Sequence, residues 1–200
     1  MSNNTKTKRD ELRQRLIDAA EDEIARLGMV GLKARSVTQT AGCALGALYN
    51  VVTDLDGLII LVNSRTIKRL SDKLDEAGRT AKTPEGALKA LATAYVQFAL
   101  SERNLWFAAF NHRLPDGQDL PDWHQAEYLA LITHLTHPLG ALLPGLSTET
   151  LALRAQTLFA SVHGVVQLSL NGQFAGAPRE VLQDEVQALV EALSLGLRSS

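Results

Sequence analysis

The 200-residue sequence predicts an all-α fold, with a small three-helix unit over residues 1–55 ahead of a larger helical body over residues 56–200. Three observations lead there. Apolar residues recur at the three- and four-residue spacing of helices, while the alternating Val/Ile/Thr runs and hairpin turns of a sheet are missing. Two short helical segments flank Gly42, and long ones fill the remainder. Hydroxyl, Pro and Gly residues stand where helices start and stop.

The first helix is predicted from Arg9 to Leu27, with Leu12, Leu16, Ala20, Ile24 and Leu27 as its apolar stripe and Gly28 as its stop. After Met29–Leu32, a short helix spans Ala34–Ala41 and is closed by Gly42; another, Leu45–Asn50, follows after three residues. A long helix then runs from about Asp56 into the seventies, with Leu58, Leu61, Val62, Leu70 and Leu74 apolar and Ile67 slightly offset. Gly78–Thr83 is polar and reads as a connector. Thr83-Pro84-Glu85 supplies a hydroxyl cap, a proline at the first helical position and an acid in the first turn. That helix carries Leu88, Leu91, Tyr95, Phe98 and Ala99 to Ser101. Asn104–Arg113 is a short aromatic helix, and Leu114–Pro121 is a loop. Trp123–His137 is expected to stop before Pro138. Ser147 caps a helix to Leu170, and Pro178 opens the last one, to about Leu197.

Composition narrows the class. Apolar residues make up 46% and charged ones 21%, as in globular chains. The single cysteine, Cys43, allows no internal disulfide and fits a reducing, cytoplasmic setting. No apolar run is long enough to span a bilayer, and the polar, basic start lacks the core of a secretory signal, so no membrane partner is expected. The net charge of −2 is unevenly spread: residues 1–70 hold 11 Lys/Arg against 8 Asp/Glu, and residues 71–200 hold 9 against 14. A basic head on an acidic body is the polarity expected if the head alone faces phosphates.

Two short helices joined by a glycine turn form the pattern of a helix-turn-helix, in which the second helix enters the major groove and the first braces it. Ala41-Gly42 supplies the small residues of the crossing, and Val37 with Leu45 or Leu48 supplies the apolar anchors. An ordinary helical hairpin shares this pattern.

The stretch Ala41-Gly42-Cys43-Ala44-Leu45-Gly46-Ala47-Leu48-Tyr49-Asn50 resembles the recognition segment of the TetR family of bacterial transcriptional regulators, roughly A-G-V-S-x-G-T-L-Y-x-Y-F. Ala41, Gly42, Gly46, Leu48 and Tyr49 match, and Leu58, Gly28 and Ala19-Ala20 fit the same frame. The resemblance covers residues 9–70 and places the recognition helix at about Leu45–Val51. In the body, Tyr95–Leu100 and Phe159–Val165 resemble the WHG-type C-terminal domain of one TetR subgroup. Together these imply a DNA-binding head and a C-terminal domain for effector binding and dimerisation.

Departures from the family pattern bear on affinity. Ala44 and Ala47 stand where Ser or Thr is usual, Leu55 where a basic residue is usual, and Val51-Val52 where the family writes Tyr-Phe. Lys33 stands where a Ser/Thr helix cap is common. Each lost phosphate contact removes about one unit of salt dependence, so binding is expected to be weak or rescued elsewhere. The candidate DNA-binding residues are Lys33, Arg35, Leu45, Tyr49 and Asn50, with Lys6, Lys8 and Arg9 as a flexible arm.

For the body, the resemblance implies a cavity in the middle helices. Aromatic residues concentrate between Tyr95 and Tyr128, and the candidate effector-binding residues are Phe98, Trp106, Phe110, Trp123 and His163. The same residues would serve equally as ordinary core. His134-x-x-His137 with His124 lacks Cys or carboxylate partners at ligand spacing, so no metal and no other cofactor is expected. The last two helices have broad apolar faces, which by the resemblance form a homodimer seam presenting two heads to a palindromic duplex operator. The leading reading is a repressor released by a small apolar or aromatic effector. The alternative is a TetR-like ligand-binding protein with weakened or lost operator binding. A helical enzyme lacks its motifs: no nucleophile elbow, dinucleotide or phosphate loop, or H-E-x-x-H occurs.

Overall fold

The computed structural model describes residues 2–172 and 174–198, with side chains inside 7–197. The described residues form nine α-helices and no strand: α1 (Ser2–Leu27), α2 (Ala34–Thr40), α3 (Leu45–Val51), α4 (Leu55–Thr80), α5 (Pro84–Ser101), α6 (Arg103–Asn111), α7 (Asp122–Leu142), α8 (Thr148–Leu170) and α9 (Leu182–Arg198). No single helix is long and apolar enough to cross a membrane.

Several helix ends obey local chemistry. Thr83 Oγ1 accepts a hydrogen bond from the Gly86 amide at 3.0 Å as α5 begins, and Ser147 accepts from the Thr150 amide at 3.2 Å as α8 begins. Others depart from the sequence expectation. The chain is helical from Ser2, so Lys8 and Arg9 lie on α1 instead of a flexible arm; the side chain of Lys6 lies outside the described residues. Helix α4 continues through Gly78, which the sequence assigned to a connector. Helix α7 passes through Pro138 and ends at Leu142. A proline there removes one backbone hydrogen bond, but Pro138 and Leu139 are both buried, and that burial offsets the local cost. Helix α9 starts at Leu182, after a turn in which the Val181 amide donates to the Pro178 carbonyl at 3.2 Å.

The chain divides into two compact units. The first comprises residues 1–67 with 102–124, so it contains the expected head and adds the start of α4 and all of α6. Its core gathers Leu16, Ile24, Val37, Leu48, Leu58 and Leu105. Helix α1 packs on α2, α3 and α6. Polar ties reinforce that packing: Arg65 meets Asp18 at 2.7 Å and Glu21 at 2.8 Å, Asn63 donates to the Ala108 carbonyl, and Asn104 donates to the Ala25 carbonyl. His112 Nε2 lies 2.8 Å from the Asp56 carboxylate in the first turn of α4.

The second unit comprises residues 68–101 with 125–200. Within it α9 packs on α5 and α8, and α5 also packs on α8. Leu88, Leu131, Leu139, Leu170 and Leu182 are among its fully buried side chains.

Candidate functional site

In the first unit the site begins with a turn that only glycine enters easily. Gly42 has φ +66°, the left-handed region, and the Cys43 amide closes the turn on the Thr38 carbonyl at 3.0 Å. Val37 on α2 and Leu48 on α3 are fully buried and seat the two helices on α1. With Leu48 turned inward, Gly46, Tyr49 and Asn50 turn outward, and Leu45 lies on the flank of the buried line. Leu45 is 37% exposed and Tyr49 50%, with Gly46 and Asn50 exposed beside them. Lys33 and Arg35 are exposed on the start of α2. The five predicted contact residues all reach solvent, and three of them, Leu45, Tyr49 and Asn50, lie on α3.

The departures from the family pattern acquire physical meaning here. Lys33 and Ala44 occupy the N-cap positions of α2 and α3, and neither supplies a side-chain cap. Helix α3 reads LGALYNV and carries no charge. Val52 is buried in the core of its unit, and Leu55 packs against that core from the start of α4. A Cβ at Gly46 would meet nothing within 4 Å, so this exposed glycine keeps the face of α3 low without being required by the fold.

The second unit contains a small, partly open cavity with about 30 Å³ of room for a water-sized sphere. Its walls are mainly aliphatic, from Leu74 on α4 through Leu88 and Leu91 on α5, Leu131 on α7, Leu158 on α8 and Val190 on α9. Phe159 contributes an aromatic wall, and no Lys, Arg, Asp or Glu lines it. The polar lining residues are already engaged. The Tyr95 hydroxyl and His163 Nδ1 share a hydrogen bond of 2.6 Å, while His134 Nδ1 faces Asp75 at 3.2 Å and its Nε2 meets the Ser71 hydroxyl at 2.9 Å. Phe159 stands edge-on to Tyr95 at 5.6 Å and stacks on His163 at 5.8 Å. Burial lowers the His163 pKa below its ordinary 6.5, which favours the neutral ring. Such a cavity suits an apolar guest: a charged one would lose hydration without gaining a counter-charge.

The predicted effector residues are dispersed. Phe98 is buried in the second unit but is absent from the lining, and His163 reaches the cavity through Tyr95. Trp106, Phe110 and Trp123 belong to the first unit. Trp106 is fully buried beside Phe107 and Phe110, with ring centroids 5.3 Å away in each case, while Trp123 is 48% exposed. The sequence reasoning missed the aliphatic lining and His134. Tyr95, Phe159 and Val162 lay within the two body segments singled out by resemblance, and they were the available signal; the leucines were indistinguishable from ordinary core. Among the described residues no three His, Cys, Asp or Glu side chains gather as a metal site.

Helices α8 and α9 each carry an exposed stripe of apolar and small residues. On α8 it runs through Leu153, Thr157, Ala160, Gly164 and Leu168; on α9, Ala188, Ala192 and Leu195 line up. A Cβ at Gly164 would meet nothing within 4 Å.

Residues 88–193 match the family described as "Tetracyclin repressor-like, C-terminal domain", which is more than half of the chain. No curated protein matches. Among solved structures, a protein of unknown function from Rhodococcus sp. RHA1 is 25% identical, with a TM-score of 0.75 over 94% of this chain and 95% of that one. A TetR-family transcriptional regulator from Streptomyces coelicolor is 19% identical, with a TM-score of 0.64 over 92% and 98%. The regulator FadR from Bacillus subtilis, in complex with stearoyl-CoA, is 17% identical, with a TM-score of 0.69 over 88% and 96%.

Proposed function

As the chain belongs to the Tetracyclin repressor-like family of transcriptional regulators, we propose that it is a ligand-responsive repressor that binds a palindromic duplex operator as a homodimer and is released by a small apolar or aromatic effector. One observation carries this reading: α3 sits on a buried Leu48 after the Gly42 turn and turns Leu45, Tyr49 and Asn50 to solvent. That is the presentation a recognition helix needs. In this reading Arg35, exposed on α2, reaches a base edge or a phosphate, with Lys33 beside it.

The effector enters the apolar cavity of the second unit, where Tyr95 and His134 keep their hydrogen bonds within the protein. An effector weakens DNA binding only through its unequal affinity for the bound and released states. The exposed stripes of α8 and α9 form the dimer seam, with Gly164 allowing close approach. A Cβ at that position meets nothing within 4 Å in the isolated protomer, so Gly164→Leu should give a folded monomer by light scattering, with cooperative binding to two half-sites lost. A dimer of unchanged strength would remove this seam from the proposal.

The primary test is selection from random duplex by the purified full-length chain at low salt. Enrichment of a two-fold symmetric sequence is the expected result. Binding no better than that of an acidic control protein would favour the second reading, a ligand-binding relative with weakened or lost operator binding. Ala44, Ala47, Leu55 and the uncharged α3 are the observations on that side.

A further inference from the structure

Helix α3 presents a narrow range of chemistry to solvent. At about 100° per residue, Ala47, Leu48 and Val51 fall on one side of it, and Leu45, Gly46, Tyr49 and Asn50 on the other. Burial agrees: Leu48 is fully buried and Val51 packs against the core, whereas Leu45, Gly46, Tyr49 and Asn50 are all exposed. The exposed face holds no Lys, Arg, Asp, Glu, Ser or Thr. At one margin stands the Asn50 carboxamide, which makes no hydrogen bond among the described residues. At the other stands the aliphatic side chain of Leu45, and at Gly46 nothing lies within 4 Å of where a Cβ would be. From Leu45 to Asn50 the helix rises about 7.5 Å, close to two base-pair steps.

The bases differ in what they ask of such a face. In the major groove guanine presents two acceptors, which Arg or Lys satisfies, and cytosine presents a donor, which Asp or Glu accepts. Helix α3 carries none of these. Adenine presents a donor beside an acceptor, matched by a single carboxamide, and thymine presents a methyl group, matched by apolar contact. We propose that α3 reads A·T base pairs, with Asn50 pairing with an adenine and Leu45 covering a thymine methyl in the same half-site. The inference rests on the reading of α2 and α3 as the DNA-contacting pair and deepens it by naming the bases. Any G·C preference then comes from Arg35 or Lys33, which belong to α2 and its N-cap.

The test is selection from random duplex by the full-length protein at low salt, repeated with Asn50→Ala, Asn50→Arg and Leu45→Ala. The wild type should enrich an A·T pair at a position in each half-site that Asn50→Ala relaxes and Asn50→Arg turns to G·C. A bidentate contact separates the right base from a wrong one by about 5- to 150-fold, so guanine in place of that adenine should weaken wild-type binding within that range, read by anisotropy. Thymines of the enriched half-site are then replaced singly by uracil, which deletes one methyl. One replacement should weaken binding about fourfold, and Leu45→Ala should abolish that difference. Enrichment of G·C at the position that Asn50→Ala relaxes, or preferences that none of the three variants alters, would overturn the A·T reading while the regulator reading stands. Absence of any sequence preference in the wild type would overturn both.

Discussion

The two candidate sites are written in the chain in opposite ways. Lys33, Arg35, Leu45, Tyr49 and Asn50 fall within 18 consecutive positions, on two short helices and one glycine turn. The cavity takes its walls from five helices, between Leu74 and Val190. The first site is a local object: once α2 and α3 form and Gly42 sets the turn, the outward faces follow from helical geometry. The second is a by-product of packing, in which a residue lines empty space only because side chains on other helices fail to fill it.

The contrast can be broken most severely at Leu48. It is fully buried under the recognition helix, so Leu48→Ala should cost about 3 kcal/mol, read as a lower urea midpoint, and release α3 with it. A cost below about 1 kcal/mol would mean that α3 is not held by this anchor. In the cavity wall the comparable change is milder. Tyr95→Phe keeps the ring but withdraws the hydrogen bond to His163 Nδ1, for an expected loss of about 1–2 kcal/mol in chemical denaturation.

The same pair predicts a pH response confined to the second unit. Burial holds the folded His163 below 6.5, so the unfolded chain binds more protons in the window between the folded value and 6.5. Stability contributed by the neutral ring is complete above that window and is lost as pH falls through it. His163→Gln should flatten this part of the melting-temperature profile; an unchanged profile would show that another group titrates there. The smallest expected effect is a gain. Ala44→Ser supplies the missing cap of α3 and should stabilise the protein by about 1 kcal/mol in thermal or urea unfolding. The added hydroxyl should also strengthen duplex binding, if α3 approaches phosphates as proposed.

Much of the helical inventory was legible because caps, glycine stops and apolar spacing act over one or two turns. Thr83, Ser147, Gly28 and Gly42 mark real ends for that reason. Errors occurred where burial overruled local preference: α7 continues through Pro138, and α4 through Gly78. The aromatic concentration between Tyr95 and Tyr128 misdirected the search for a cavity. Trp106 and Phe110 are four residues apart on one face of α6, where their rings meet, and they serve the first unit.

The sequence by itself therefore determined the helical class, the glycine-hinged pair near residue 42 and the uncharged character of α3, since each depends on neighbours along the chain. The tertiary structure alone decided that α6 joins the first unit and that His134 and Tyr95 line the cavity. Those outcomes depend on which helix faces meet, and many residue pairs far apart in sequence satisfy apolar burial equally well until the whole chain is packed.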